Sequence, residues 1–262
     1  MQLTEEKKTV YYTDELTDDF ALTRDMIQVR RPERGYRYEH NFILWRMGSW
    51  VLYRVVATPL VFLYCKTVYG LRIRGRRKMF KLHGGCFLYG NHTQNIIDAF
   101  LPTLAAFPKR CDIITAADAV SIPVIRHITP MLGAIPLPDS FEEMRAFQQI
   151  LKKHTDKGRA QALYPEAHIW PYYNKIRPFS DDSFIYPCKC GLPAVPFTVT
   201  YRRRRVLHLL PPAITLVIGD PVYADPDLQA KQARRKMRDE IYAQMCRACE
   251  DSYEYIRYVK RD

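Results

Sequence analysis

The stretch "LYGNHTQNIIDAF", Leu88–Phe100, decides how the chain is read. With Cys86 and Phe87 before it, "CFLY" (86–89) is a short unbroken apolar run. Such a run is too brief for a helix and suits a strand buried on both faces. Gly90 then allows a sharp turn, and about Asn95 to Ala106 reads as a helix. Strand, tight turn and helix form the repeating unit of an α/β sheet, whose carboxyl edge is where ligands bind. His92 falls at that edge and Asp98 six positions later. A turn could bring that carboxylate to the imidazole. A neutral imidazole so oriented can take a proton from an alcohol as the alcohol attacks a carbonyl. Taken alone, the same spacing also describes a helix cap or a surface pair.

The pattern continues outward from this unit. "CDIITAA" (111–117), "AQALYPE" (160–166), "LPAVPFTVTY" (192–201) and "AITLVIGDPV" (213–222) read as further strands. "SFEEMRAFQQILKKH" (140–154) reads as a helix. Ser140 and Glu143 form a capping box there, and Phe141, Met144, Phe147 and Leu151 share one apolar face. A last helix is expected over about 227–257, with Met237, Ile241, Met245 and Ala248 on one side. The expected class is therefore α/β, with a largely parallel central sheet covered by helices.

Upstream, residues 1–41 read as a loose N-terminal arm and 42–71 as an amphipathic helical segment at a membrane interface, leaving 72–262 as the catalytic domain. The segment Phe42–Leu71 is rich in Trp, Tyr, Phe, Leu and Val, but Arg46 and Arg54 interrupt it. Its longest charge-free run, Val55 to Cys65, has 11 residues, against about 20 for a spanning helix. Trp45, Trp50, Tyr53, Tyr64 and Tyr69 suit interfacial anchors. One or two helices lying in one leaflet are expected, an ordinary buried helix pair being the alternative. The basic strip "RIRGRRKMFK" (72–81) would then meet anionic headgroups.

Charge supports an anionic partner: 40 basic against 28 acidic residues give +12. Nucleic acid, an anionic membrane or phosphorylated ligands all fit that excess. No aromatic–basic binding motif occurs outside the interfacial segment, so nucleic acid is not expected. The seven cysteines are odd in number and no secretory signal opens the sequence, which favours a reduced, cytosolic setting. Cys188-x-Cys190 and Cys246-x-x-Cys249 could be imagined as zinc ligands. The second pair lies in a helical stretch without supporting histidines, so no metal is expected. His40, His83, His127, His154 and His208 read as structural, and "RRRR" (202–205) as a solvated hairpin tip that also touches lipid.

A second motif, "LYPEAHIWPYYNKIRPFSDDSFIYPCKCGLPAVPFTV" (163–199), runs strand, Pro-Glu, aromatic loop, Arg-Pro-Phe, then Gly-Leu-Pro-Ala-Val-Pro. Together with the first, it resembles the 1-acylglycerol-3-phosphate (lysophosphatidate) acyltransferases. That family has Asn-His followed after four residues by Asp, then Phe-Pro-Glu-Gly-Thr, a Pro-Phe-Lys-like step and a strand reading Pro-hydrophobic-Val-Pro. Here the blocks are Gly90-Asn91-His92…Asp98, Tyr164-Pro165-Glu166-Ala167-His168, Arg177-Pro178-Phe179 and Leu192-Pro193-Ala194-Val195-Pro196. "VIGDPV" (217–222) resembles the family's late Gly-x-Pro strand end. The resemblance spans about Leu71 to Val222.

There are three departures. Five residues separate His92 from Asp98, and the extra one must be absorbed in the turn. Gly-Thr is replaced by Ala167-His168, although glycine reaches positive φ more readily. The Arg-bearing block is degenerate, with Asp139 near the basic position, so Lys175, Arg177 and Arg145 become the phosphate candidates.

The resemblance implies His92 as general base, Asp98 as its orienting carboxylate, and Asn91, Glu166, His168, Lys175 and Arg177 on the substrate side; a Glu166 that caps a helix or pairs with Arg177, and a plain loop histidine at His168, are the alternatives. Backbone N–H groups at a helix start after Asn91 would hold the oxyanion. The implied partners are a lysophospholipid, an acyl thioester (acyl-CoA or acyl-carrier protein) and an anionic membrane surface, with no bound cofactor. The implied location is the cytoplasmic face of a membrane, peripheral or monotopic. Acylation of a different lysolipid or a non-phosphorylated alcohol, or an anionic-lipid-binding module without turnover, are the other readings.

Overall fold

The computed structural model describes residues 8–21, 38, 42–116, 128–138, 140–207 and 209–261. Asp139, His40, His127 and His208 lie outside the described residues, as does most of the expected arm, and the Phe141 side chain is likewise not described. Among those described, nine strands are β1 (Thr9–Tyr12), β2 (Arg72–Arg74), β3 (Cys86–Gly90), β4 (Cys111–Thr115), β5 (Ala134–Pro136), β6 (Ala160–Leu163), β7 (Ala194–Arg202), β8 (Ala213–Ile218) and β9 (Arg257–Lys260). Seven of them form one sheet in the order β2-β8-β7-β3-β6-β4-β5, which puts β3 at its centre. All pairings are parallel except β7 with β8. The largely parallel sheet read from the sequence is thus present.

The central strands are buried on both faces, and their side chains alternate between two cores. Cys86 and Leu88 enter one core, while Phe87 and Tyr89 enter the other. The first core lies under α2 (Thr58–Val68), α3 (Arg76–Lys81) and α4 (Leu101–Ala106), through Cys65, Met79, Leu101 and Leu104. The second lies under α5 (Phe141–Asp156) and α7 (Ala230–Cys249), through Phe147, Ile150, Leu151, Met237, Ile241 and Met245. Helices on both faces leave only the sheet edges open, which places chemistry at the strand ends. Ser140 caps α5 by accepting a hydrogen bond from Glu143 N at 3.3 Å. α6 (Ile185–Cys190) and α7 carry the four cysteines considered for zinc; all seven cysteines are free thiols.

The interfacial segment is one continuous helix, Ile43–Val68, of 26 residues. At 1.5 Å per residue it is about 39 Å long. By length and composition it is long and apolar enough to cross a membrane, so the charge-free run alone understated it. It begins as α1 (Ile43–Val51), widens into a π turn over Leu52–Ala57, and continues as α2. The widening has a cause at Pro59. Proline lacks an N–H and its ring clashes with the carbonyl four residues back. Here Thr58 N donates instead to Tyr53 O, five residues back, and Thr58 Oγ1 reaches the same oxygen at 2.7 Å. One face is fixed to the domain: Ser49 Oγ donates to Met131 O at 2.7 Å, and Tyr53 OH accepts from Cys111 N at 2.9 Å. The other face exposes Leu44, Met47, Trp50, Val55, Leu60 and Leu63.

Three expectations are corrected. The helix after β3 does not start at Asn95. A coil (91–94) and a 3-10 turn (Ile97–Ala99) precede α4, because Asp98 is drawn back to the coil and Pro102 suits a first helical turn. The last helix stops at Cys249, where Ser252 Oγ and Tyr253 N bond the backbone of Tyr201 at 3.0 Å each. The residues beyond it form β9, which pairs in parallel with β1. The N-terminal arm is therefore no loose extension over 8–21. Phe20 N donates to Ile169 O at 3.0 Å and Trp170 Nε1 to Asp18 O at 2.7 Å, which pins the arm to the loop after β6.

Candidate active site

β3 ends at Gly90, and the reason for glycine there is packing. A Cβ at this position would collide with the ring of Phe197 on β7. Asn91, fully buried, then extends the β3–β7 ladder with its side chain. Its Nδ2 donates to Val199 O at 3.0 Å, and its Oδ1 accepts from Val199 N at 2.7 Å. Both ends of the amide are engaged by backbone. Asn91 thus anchors the start of the following coil to β7, where it was expected on the substrate side.

The next residue is His92. Its Nδ1 lies 2.8 Å from Asp98 Oδ2, so the extra residue between them is absorbed by the turn. The carboxylate fixes Nδ1 as the protonated nitrogen, leaving Nε2 as the basic one. The His92 side chain is 19% exposed against 1% for Asp98. Tyr164 stacks on the imidazole at 4.4 Å and 14°, and its hydroxyl donates to Asp98 O at 2.6 Å. Gln94 N donates to Asp98 Oδ2 at 2.8 Å. Burial raises the Asp98 pKa above the ordinary carboxylate value, although His92 and backbone N–H groups pull it down. Its Oδ1 is buried with no hydrogen-bond partner among the described residues.

Glu166 lies beneath this pair. Its Oε2 accepts from His92 N at 3.2 Å and from Arg177 Nη2 at 3.3 Å, and its Oε1 accepts from Arg177 N at 3.1 Å. Burial raises its pKa, opposed first by the Arg177 charge. The backbone N–H groups of His92 and Gln94 are thereby directed at Glu166 and Asp98. The oxyanion donors expected after Asn91 are not free there, and no helix starts there.

Arg177 is also reassigned. It is buried, its Nη2 donates to His168 O, its Nη1 reaches Glu15 O at 3.2 Å, and it packs over the Trp170 ring at 5.0 Å. It clamps Glu166 and the arm and is buried away from solvent. Sequence does not reveal this, because an arginine before Pro-Phe reads the same whether it faces in or out. His168 is half-buried, with Nδ1 3.6 Å from Asp19 Oδ2, and Lys175 is exposed. Arg145 lies exposed on α5.

The sequence reading missed Trp170 and Tyr164. Trp170 is fully buried, and its N donates to His92 O at 3.1 Å, so it holds the histidine from the opposite side. Ala167 has a φ of 63°, and His168 N donates to Glu166 O at 2.8 Å across it. An alanine thus holds a positive φ in the rarer, strained form of a three-residue turn.

A structure of the 1-acyl-sn-glycerophosphate (LPA) acyltransferase PlsC from Thermotoga maritima shares this fold. The TM-score is 0.54 with 16% identity, over 79% of this chain and 86% of that one. No curated protein matches the sequence significantly. The acyltransferase family model matches residues 70–200, which hold His92, Asp98, Glu166 and Arg177. With half of its 262 residues inside that match, the chain belongs to the acyltransferase family.

Proposed function

We propose that the protein moves an acyl group from an acyl thioester to the free hydroxyl of a lysophospholipid, most simply the sn-2 hydroxyl of 1-acylglycerol-3-phosphate. The observation that carries this is the 2.8 Å contact of His92 Nδ1 with Asp98, at the carboxyl edge of the central strand. His92 Nε2 takes the hydroxyl proton as that oxygen attacks the thioester carbonyl carbon. The carbon–sulfur bond breaks, and the leaving thiolate takes the proton back from the imidazolium. Asp98 orients the ring and stabilises its charged form. Asn91, Glu166 and Trp170 act through His92 as positioning residues.

His168 and Lys175, on the loop that carries Glu166, are left for the acceptor's phosphate. The thioester is acyl-CoA or acyl-carrier protein. The exposed apolar face of Ile43–Val68 supports peripheral or monotopic attachment at the cytoplasmic face of a membrane. The net charge of +12 suits anionic lipid.

The test follows thiol release from acyl-CoA with lysophosphatidate, using wild type and His92→Ala. General-base help is worth about 10² to 10⁴ in rate. The variant should lose on that order while still folding. Undiminished release would move the base elsewhere. One observation favours a second acceptor: the burial of Arg177 leaves that loop without an accessible guanidinium. A panel of other lysolipids and uncharged alcohols, run beside lysophosphatidate, separates the two readings.

A further inference from the structure

The hairpin joining β7 and β8 has features that acyl transfer does not use. Its tip presents Val206, Leu207 and Leu209 to solvent, Leu209 completely. Three aliphatic side chains gathered on one tip are more than scattered surface exposure. Leu207 also has a φ of 62°, a left-handed conformation that a leucine adopts at a cost. The stem is strongly basic, with Arg202, Arg203, Arg204 and Arg205, and the edge strand β2 adds Arg72 and Arg74. Among the described residues, no salt bridge joins an acidic side chain to any of the six.

The hairpin is fixed against the long apolar helix. Arg204 Nη2 donates to Val68 O, Arg202 Nη2 donates to Gly70 O at 2.7 Å, and Ile214 N donates to Tyr69 O at 2.9 Å. These acceptors lie at the carboxyl end of α2, whose Leu60, Phe62, Leu63 and Tyr64 are exposed. Apolar tip, unpaired arginines and apolar helix are therefore continuous. A protein partner would need an acidic rim around an apolar socket, whereas an anionic bilayer offers both layers at the right depths.

We propose that the β7–β8 hairpin is a second membrane anchor. Val206, Leu207 and Leu209 enter the acyl boundary of an anionic bilayer, and the exposed Arg203 and Arg205 of the stem and Arg72 and Arg74 of β2 bind its headgroups. A second point of attachment beside the long helix fixes the rotation of the domain about it, which a single helix would leave free. The inference deepens the membrane-lipid reading above and rests on it.

The test uses the full chain with vesicles of zwitterionic lipid alone or mixed with anionic lipid. Leu209→Trp is the reporter, read as the difference from wild type. Its emission should shift to the blue on anionic vesicles and be quenched by brominated lipid. Partition of Val206→Asp/Leu209→Asp should fall at least about tenfold. Arg203→Glu/Arg205→Glu should lose about fivefold per unit of charge, on anionic vesicles only. A reporter indifferent to vesicles that bind the protein would overturn the anchor, as would an aspartate variant that partitions like wild type.

Thiol release with a short-chain, water-soluble lysophosphatidate separates this from the catalytic reading. Tip variants should keep that rate. Turnover by wild type without any vesicle signal at the tip overturns the anchor alone. A tip signal without turnover supports the anchor and overturns the proposed reaction.

Discussion

Two imidazole–carboxylate pairs of the same length lie at opposite edges of the sheet. His92 and Asp98 meet at 2.8 Å beyond the carboxyl end of β3. His154 and Asp112 meet at 2.8 Å where β4 begins. The hydrogen bond does not distinguish them; their surroundings do. His92 is 19% exposed and its carboxylate has no cation besides the imidazole among the described residues. His154 is 7% exposed, and Asp112 is further held by Arg159 at 3.3 Å, Arg110 at 4.0 Å and Gln161 Nε2 at 3.1 Å. The two acids diverge accordingly. Burial raises Asp98 and is only partly opposed. For Asp112 burial is outweighed by the His154 hydrogen bond and by the charges of His154, Arg159 and Arg110, so its pKa is lowered. One pair is partly open to solvent, while the other is a more buried network that joins β4 to α5.

The sharpest way to break this contrast is to neutralise each acid in turn. Asp98→Asn should lower kcat by about 10²-fold or more, by removing the acceptor that sets the tautomer. Its thermal midpoint should hold or rise, because the carboxylate is buried at a cost. Asp112→Asn should do the reverse: a loss of about 3 kcal/mol in urea unfolding, with kcat per folded molecule within about twofold of wild type. If both variants lost stability and neither lost activity, the two pairs would be alike.

Acid titration sharpens the point. The folded pKa of Asp112 lies below its unfolded value, so its contribution is present above the ordinary carboxylate pKa and is lost as pH falls through the folded one. Asp98 has the opposite sign, because its raised pKa makes ionisation in the folded state costly as pH rises through the unfolded value. Urea midpoints measured from about pH 3 to pH 6 should therefore fall less steeply with acid in Asp112→Asn than in wild type. In Asp98→Asn they should fall more steeply. The smallest effect belongs to the loop after β6, beside the His92 pair. Ala167→Gly should relieve a left-handed alanine worth about 1–2 kcal/mol, less the added freedom of the unfolded chain. A net gain near 0.5 kcal/mol with little change in rate is expected, measured by urea unfolding.

Much of this was legible because buried parallel strands are continuous apolar runs, and β3, β4, β6, β7 and β8 were all found as such. The His92–Asp98 pair was legible from a turn following a strand. Glu166 was legible as a site residue from the Tyr-Pro-Glu block, but the burial of Arg177 was not, because it depends on Glu15 and Trp170, which sequence spacing does not bring near. Asn91 was misread for a related reason: only the β3–β7 register shows that its amide completes a ladder. β9 was missed because a short strand is recognisable chiefly by its partner, and that partner is β1.

The β1–β9 pairing has a consequence for biosynthesis. Thr9 pairs with Arg257, a separation of 257 − 9 = 248 positions. At roughly 5–20 residues per second, a ribosome needs on the order of 12 to 50 s to make the second strand after the first. Throughout that interval the emerging arm has no strand to join. Tyr258, which stacks on Trp170 at 5.0 Å, is made equally late. The β1–β9 pair and the Tyr258–Trp170 stack that packs behind the histidine's loop therefore form only after every strand of the large sheet has been made.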